Sequence, residues 1–126
     1  MRGILDTSLL IADEVDVIAG ELAISAVSLA ELHFGVLCAP DDESRAVRLH
    51  RLTAIESRFD ALPVDSVVSR HYGRLAAELQ QAGRNPRPRN FDLLIAATAM
   101  AHDATLYTRD LADFAGLEDL LAVRAA

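Results

Sequence analysis

Apolar residues in this chain gather in short runs separated by stretches of helical periodicity. The opening RGILD sets Ile4 and Leu5 ahead of Asp6, which predicts a buried strand ending at Asp6, and Thr7 and Ser8 then offer side chains able to cap a following helix. A second strand is expected around Leu22 to Ser25. After it Val27, Ala30, Phe34 and Leu37 recur at helical spacing, and Pro40 ends that helix. From Asp41 to Phe59 three leading acids precede Leu49, Leu52, Ile55 and Phe59 on one side, with Arg45, Arg48, Arg51 and Arg58 elsewhere, the pattern of an amphipathic helix. ALPVD predicts a short edge strand, because Pro63 cannot donate to a central ladder, and Ser66 is placed to cap the next helix, which runs to about Gln81 and is closed by Gly83. NFDLLIAATAMAH reads as a nearly all-apolar helix, charged only at its start and so largely buried; ATLYT is a fourth strand, RDLADF a short helical turn, and Leu121 to Arg124 a last strand.

Strands that are apolar throughout, interleaved with helices, predict an α/β domain with a central, mainly parallel sheet of four to five strands flanked by helices. Ligands of such sheets collect at the carboxyl ends of the strands. Asp6 ends the first strand and Asp110 follows the fourth, while Glu31 and Asp92 are expected in the first turns of helices packed alongside, so that all four reach one crevice.

Composition narrows the chemistry. A chain of 126 residues, 52% of them hydrophobic, fits one domain able to bury roughly two thirds of its unfolded surface. Cys38 is the single cysteine, no basic leader precedes a long apolar stretch, and the first apolar run is soon interrupted by Asp13 and Glu14, far short of the ~20 residues that span a bilayer. These features lead to the expectation of a cytoplasmic protein with no membrane contact and an inert, half-buried Cys38 thiol. The net charge of −7 argues against a broad nucleic-acid-binding face. Yet all 12 basic residues are Arg, the side chain suited to bidentate phosphate contacts, and Arg84, Arg87 and Arg89 crowd the segment RNPRPR just before Asp92. The absence of Lys disfavours a P-loop or a phosphoaspartate enzyme, both of which ordinarily keep a Lys near phosphate.

A carboxylate beside buried strands is costly unless it is paired or bound to a cation. Four converging carboxylates form a natural ligand set for Mg²⁺ or Mn²⁺, which prefer carboxylate and water oxygens, whereas His33, His50, His71 and His102 share no zinc-ligand spacing. Each acid also has a plainer explanation. Asp6 could cap a helix, Asp92 could favour the positive end of its helix, Glu31 could be a half-exposed helical acid, Asp110 could cap the turn to Phe114, and Asp113 could be a solvated loop acid. The joint pattern carries the metal reading.

ILDTSLLI, ISAVSLAELHFGV, FDLLIAATAMAH and LYTRDLADF resemble, in order and over nearly the whole chain, the motifs of PIN-domain ribonucleases of the VapC type, the toxins of bacterial type II toxin–antitoxin systems. The resemblance implies one PIN domain over residues 1–126, with Asp6, Glu31, Asp92 and Asp110 as catalytic, metal-holding acids and Asp113 as a further ligand. It implies a Mg²⁺- or Mn²⁺-dependent endoribonuclease that cuts structured RNA, transfer or ribosomal, leaving 5′-phosphate and 3′-hydroxyl ends. Ser8, Arg84, Arg87, Arg89 and Arg109 would contact the substrate. It further implies a VapB-type antitoxin whose C-terminal segment blocks the acidic pocket, and a homodimer within the toxin–antitoxin complex. The interval from Asp6 to Glu31 is shorter than in many relatives, and Asp110 stands where relatives often carry Asn. The alternatives are a catalytically idle PIN-like module that binds RNA or protein, whose signature would be a missing acid, and a phosphatase-like hydrolase using Asp6 as nucleophile, disfavoured by Ser8 and by the absence of Lys.

Overall fold

Residues 2–12 and 18–126 are described by a computed structural model of the chain. Asp13 and Glu14, the charges that interrupt the first apolar run, lie outside the described residues. Five strands, β1 (Arg2–Leu5), β2 (Glu21–Ser25), β3 (Ala61–Leu62), β4 (Thr105–Thr108) and β5 (Val123–Ala125), form one sheet in the order β3-β2-β1-β4-β5, and every pairing is parallel. The helices are α1 (Thr7–Ala12), α2 (Ala26–Leu37), α3 (Asp42–Arg58), α4 (Ser66–Gln81) and α5 (Asn90–Ala101), with short 3-10 turns at Arg87–Arg89 and Leu111–Phe114. Among the described residues no helix is long and apolar enough to cross a membrane.

The pleat divides the apolar strand residues between two cores, which is why the strands are apolar throughout. Ile4 and Leu106 face α4 and α5, where they meet Val68, Leu75, Leu93, Ile95 and Phe114. Leu5, Ile24 and Tyr107 face the opposite way, onto Leu9 and Leu10 of α1, Leu32 and Val36 of α2 and Leu52 and Ile55 of α3. Gly3 sits beneath this second layer with no room to spare: a Cβ there would lie 2.7 Å from Tyr107 Cε2 and 2.9 Å from Leu22 Cδ2.

Several local expectations shift. In α2 the buried stripe runs through Leu32 and Val36, while Phe34 and Leu37 are 70% and 75% exposed, because a helix apolar nearly all round gives no periodic signal to choose its face. Leu49 of α3 is likewise exposed, and the core takes Leu52 and Ile55. Helix α4 is capped by Asp65, whose carboxylate accepts the Val68 N–H at 3.0 Å, and Ser66 is its first helical residue. Gly83 closes it with φ +80. Cys38, at the end of α2, is exposed rather than half-buried, and the last strand begins two residues later than expected.

Parallel register positions the site. Leu5 pairs with both Ile24 and Tyr107, so Asp6, Ser25 and Thr108 emerge side by side at the carboxyl edge. The chain fills the sheet outward from β1 through β2 to β3, then returns to lay β4 and β5 on the other side. The switch of direction falls between β1 and β4, where open α/β sheets keep their ligand crevice.

Candidate functional site

Asp6 leaves β1 at that switch point and is 4% exposed. Its carboxylate accepts three hydrogen bonds: the Thr7 N–H on Oδ1 at 2.9 Å, and on Oδ2 the Ser8 hydroxyl at 3.0 Å and the Thr108 hydroxyl at 2.8 Å. Its backbone N–H donates to Tyr107 O at 2.9 Å, extending the ladder one residue beyond β1. A buried carboxylate with this many donors keeps one orientation.

Thr7 carries the arrangement to α2. Its hydroxyl lies 2.8 Å from Ser28 Oγ and donates to Glu31 Oε1 at 2.8 Å, so Ser28 supplies the proton of the first bond. Glu31 stands in the second turn of α2 rather than the first; Ser28, one turn earlier, and Glu31 share a face at i, i+3 spacing. Burial raises the Glu31 carboxyl above its ordinary range, the Thr7 hydrogen bond opposes this, and the neighbouring Asp6 charge adds to the rise.

Asp92, in the first turn of α5, is half-buried. Burial, followed by the charges of Asp6, Asp113 and Glu31, pushes its carboxyl up to about 6, with Arg89 pulling the other way. Four acids from β1, α2, α5 and the turn after β4 thus act on one another across a shared space.

Asp113 rather than Asp110 is the acid of the last motif whose charge reaches Asp92. Asp110 is exposed at the start of the 3-10 turn, its backbone N–H donating to Thr108 Oγ1 at 3.0 Å and its carbonyl accepting the Asp113 N–H at 3.0 Å. Ser8 is turned toward Asp6 and also accepts the Arg109 N–H at 3.3 Å. Arg84 donates to Ala115 O, and Arg89 donates to Asp113 O and lies 3.8 Å from Asp113 Oδ1. Arg87 is exposed beside Glu31 and Asp92, and Arg109 is exposed at the carboxyl end of β4. Sequence reasoning missed Thr7, Ser28 and Thr108 as the hydroxyls holding the acids; the small polar residues beside Asp6, Glu31 and Asp110 were the available signal.

The donors are all carboxylate oxygens, the type a hard divalent cation prefers, and two of the carboxyls are held toward their protonated forms by burial and mutual repulsion, a condition that a bound cation relieves. Among the described residues no three acid, His or Cys side chains already converge on a coordination point. The fit therefore lies in donor chemistry and charge.

The profile of the PIN domain matches residues 4–119. Ribonuclease VapC5 of Mycobacterium tuberculosis is 39% identical over 96% of this chain and 91% of the relative, and Ribonuclease VapC4 of the same organism is 38% identical over 94% and 93%. Among solved structures, VapBC-5, a toxin–antitoxin complex of M. tuberculosis, holds a chain that superposes with a TM-score of 0.85 at 38% identity, covering 98% of this chain and 96% of the other. An α/β domain with acids gathered at the switch point of a five-stranded parallel sheet is thus a PIN domain. The chain belongs to the PIN-domain family and, within it, to the VapC ribonuclease branch.

Proposed function

We propose that this protein is a divalent-metal-dependent endoribonuclease, the toxin of a type II toxin–antitoxin pair, working in the cytoplasm. The observation that carries the proposal is the pair of acids held at the switch point of the sheet: Asp6, 4% exposed and accepting three hydrogen bonds, and Glu31, linked to it through Thr7, with Asp92 beside Glu31 in the same cleft. Asp6, Glu31, Asp92 and Asp113 would hold Mg²⁺ or Mn²⁺, with Asp110 at the exposed rim. When bound, such an ion supplies charge neutralisation at the phosphodiester and eases loss of a proton from attacking water.

The chain's own residues prepare that chemistry. Thr108 and Ser8 fix Asp6, and Thr7 with Ser28 fixes Glu31, so two of the acids present one oxygen geometry before any ligand arrives. Asp92 stands in the first turn of α5, where the amino end of the helix favours its ionised form. Substrate would be an exposed loop of a structured RNA, transfer or ribosomal, whose unstacked nucleotides can enter the open cleft beside Glu31 and Asp92. A VapB-type antitoxin would restrain the enzyme by presenting a cationic side chain to the same acids, within an assembly built on a toxin homodimer.

Sequencing new 5′ ends in cellular RNA after induction tests the proposal directly. The intact protein should generate cuts confined to a few sites, and Asp6→Asn and Asp92→Asn forms expressed at equal level should generate none. Equal cutting by all three forms would refute it.

A further inference from the structure

The segment RNPRPR carries three arginines whose surroundings differ. Arg84 and Arg89 are half-buried and donate to backbone carbonyls of the turn after β4, Arg84 to Ala115 O and Arg89 to Asp113 O, and Arg89 also pairs with the Asp113 carboxylate at 3.8 Å. Their guanidinium groups tie the loop before α5 to the turn that follows β4. Arg87 is different. Its backbone N–H bonds Asn85 Oδ1 at 3.1 Å, while its exposed guanidinium makes no hydrogen bond or ion pair among the described residues.

Local geometry separates the two tasks. Arg87–Arg89 form a 3-10 turn, and three residues per turn place side chains two positions apart about 120° from each other around the axis. Pro86 and Pro88 fix φ on either side of Arg87 and stiffen the turn that carries it. Arg87 lines an open cleft of about 390 Å³ with Asn90 and Phe91, together with Glu31 and Asp92. Phe91 is 53% exposed there, so the cleft joins an unpaired cation to an aromatic face beside the acid cluster. Phosphate on cation with base on ring is how single-stranded nucleic acid is held without sequence reading.

Building on the ribonuclease proposal, we infer that Arg87 and Phe91 form a subsite for one nucleotide of single-stranded RNA, Arg87 taking the phosphate and Phe91 the base, while Arg84 and Arg89 are positioning residues that tie the loop carrying Arg87 to the turn after β4.

The test uses the full chain in an Asp92→Asn background, which prevents turnover, with a labelled single-stranded oligoribonucleotide whose binding is followed by anisotropy across a salt series. Arg87→Gln and Phe91→Ala should each raise Kd roughly tenfold without moving the melting temperature, and only Arg87→Gln should also lower the salt slope, by about one. Arg84→Gln and Arg89→Gln should lower the melting temperature and leave Kd of the folded protein within about twofold, with Arg89→Lys recovering part of the melting temperature should the Gln form fail to fold. Unchanged Kd in Arg87→Gln, or an Arg89→Gln protein that melts normally and loses RNA as Arg87→Gln does, would overturn the division. If the parent neither binds RNA in this background nor cuts it as wild type, the ribonuclease proposal fails and the subsite with it. Parent binding that ignores both Arg87 and Phe91 removes the subsite alone.

Discussion

Replacing Asp92 by Asn should make the metal-free protein more stable, in a pH-dependent way. The carboxyl rises from 3.8 to about 6 through burial and the charges of Asp6, Asp113 and Glu31. At about 1.4 kcal/mol per pH unit the ionised form would cost at most about 3 kcal/mol, and the partial solvation of a half-buried group lowers this to about 1–2 kcal/mol. The sign follows from linkage. The folded state holds the proton more tightly than the unfolded state, so no cost exists below 3.8; it accrues as the unfolded chain ionises between 3.8 and about 6, and it is complete above 6. The Asp92 side chain makes no hydrogen bond among the described residues, so Asn removes the charge without breaking one. Urea unfolding in EDTA should then show Asp92→Asn ahead of wild type by about 1–2 kcal/mol at pH 7, with the gap closing near pH 4. Mg²⁺ at ten times its Kd should add about 1.4 kcal/mol to wild type and far less to the variant. A variant less stable than wild type at pH 7, or a gap of the same size at both pH values, would refute the reasoning.

Two further substitutions probe what surrounds the acids. Thr7→Val strips a buried hydroxyl from between Ser28 and Glu31, leaving both without their bond, and should cost about 1–3 kcal/mol in chemical unfolding and reduce RNA cleavage, with Thr7→Ser restoring both. Gly3→Ala drives a methyl to 2.7 Å from the Tyr107 ring, which is packed in the second core and cannot retreat, so a loss of about 1–3 kcal/mol is expected from the urea midpoint at constant m.

What the amino-acid order discloses depends on how local the cause is. Strands β1, β2 and β4 were legible because a parallel sheet covered on both faces needs uninterrupted apolar runs, and α5 because its only charge stands at its start. The face of α2 was not, since Leu32, Phe34, Val36 and Leu37 offer apolar residues in several directions and only packing on the sheet, α1, α3 and α5 decides which are covered. Ser66 and Asp65 compete for one cap, and adjacent capping residues leave no pattern to prefer either.

The acids themselves divide along the same line. Asp6 could be foreseen at a strand's end because strand ends are local and the crevice lies beyond them. The long-range pairings could not be foreseen, although small polar residues beside each acid marked where to look: Thr108 is 102 residues away from Asp6, and Glu31 is 24 from Thr7. Asp110 and Asp113 show the limit most sharply. They stand three residues apart on one turn with the same chemistry, yet Asp110 is exposed while Asp113 has Arg89 bonded to its carbonyl and paired with its carboxylate at 3.8 Å. An arginine more than twenty positions earlier thus gives Asp113 a partner that its own flanks do not record, and that contact forms only when the turn after β4 lies beside the segment that opens α5.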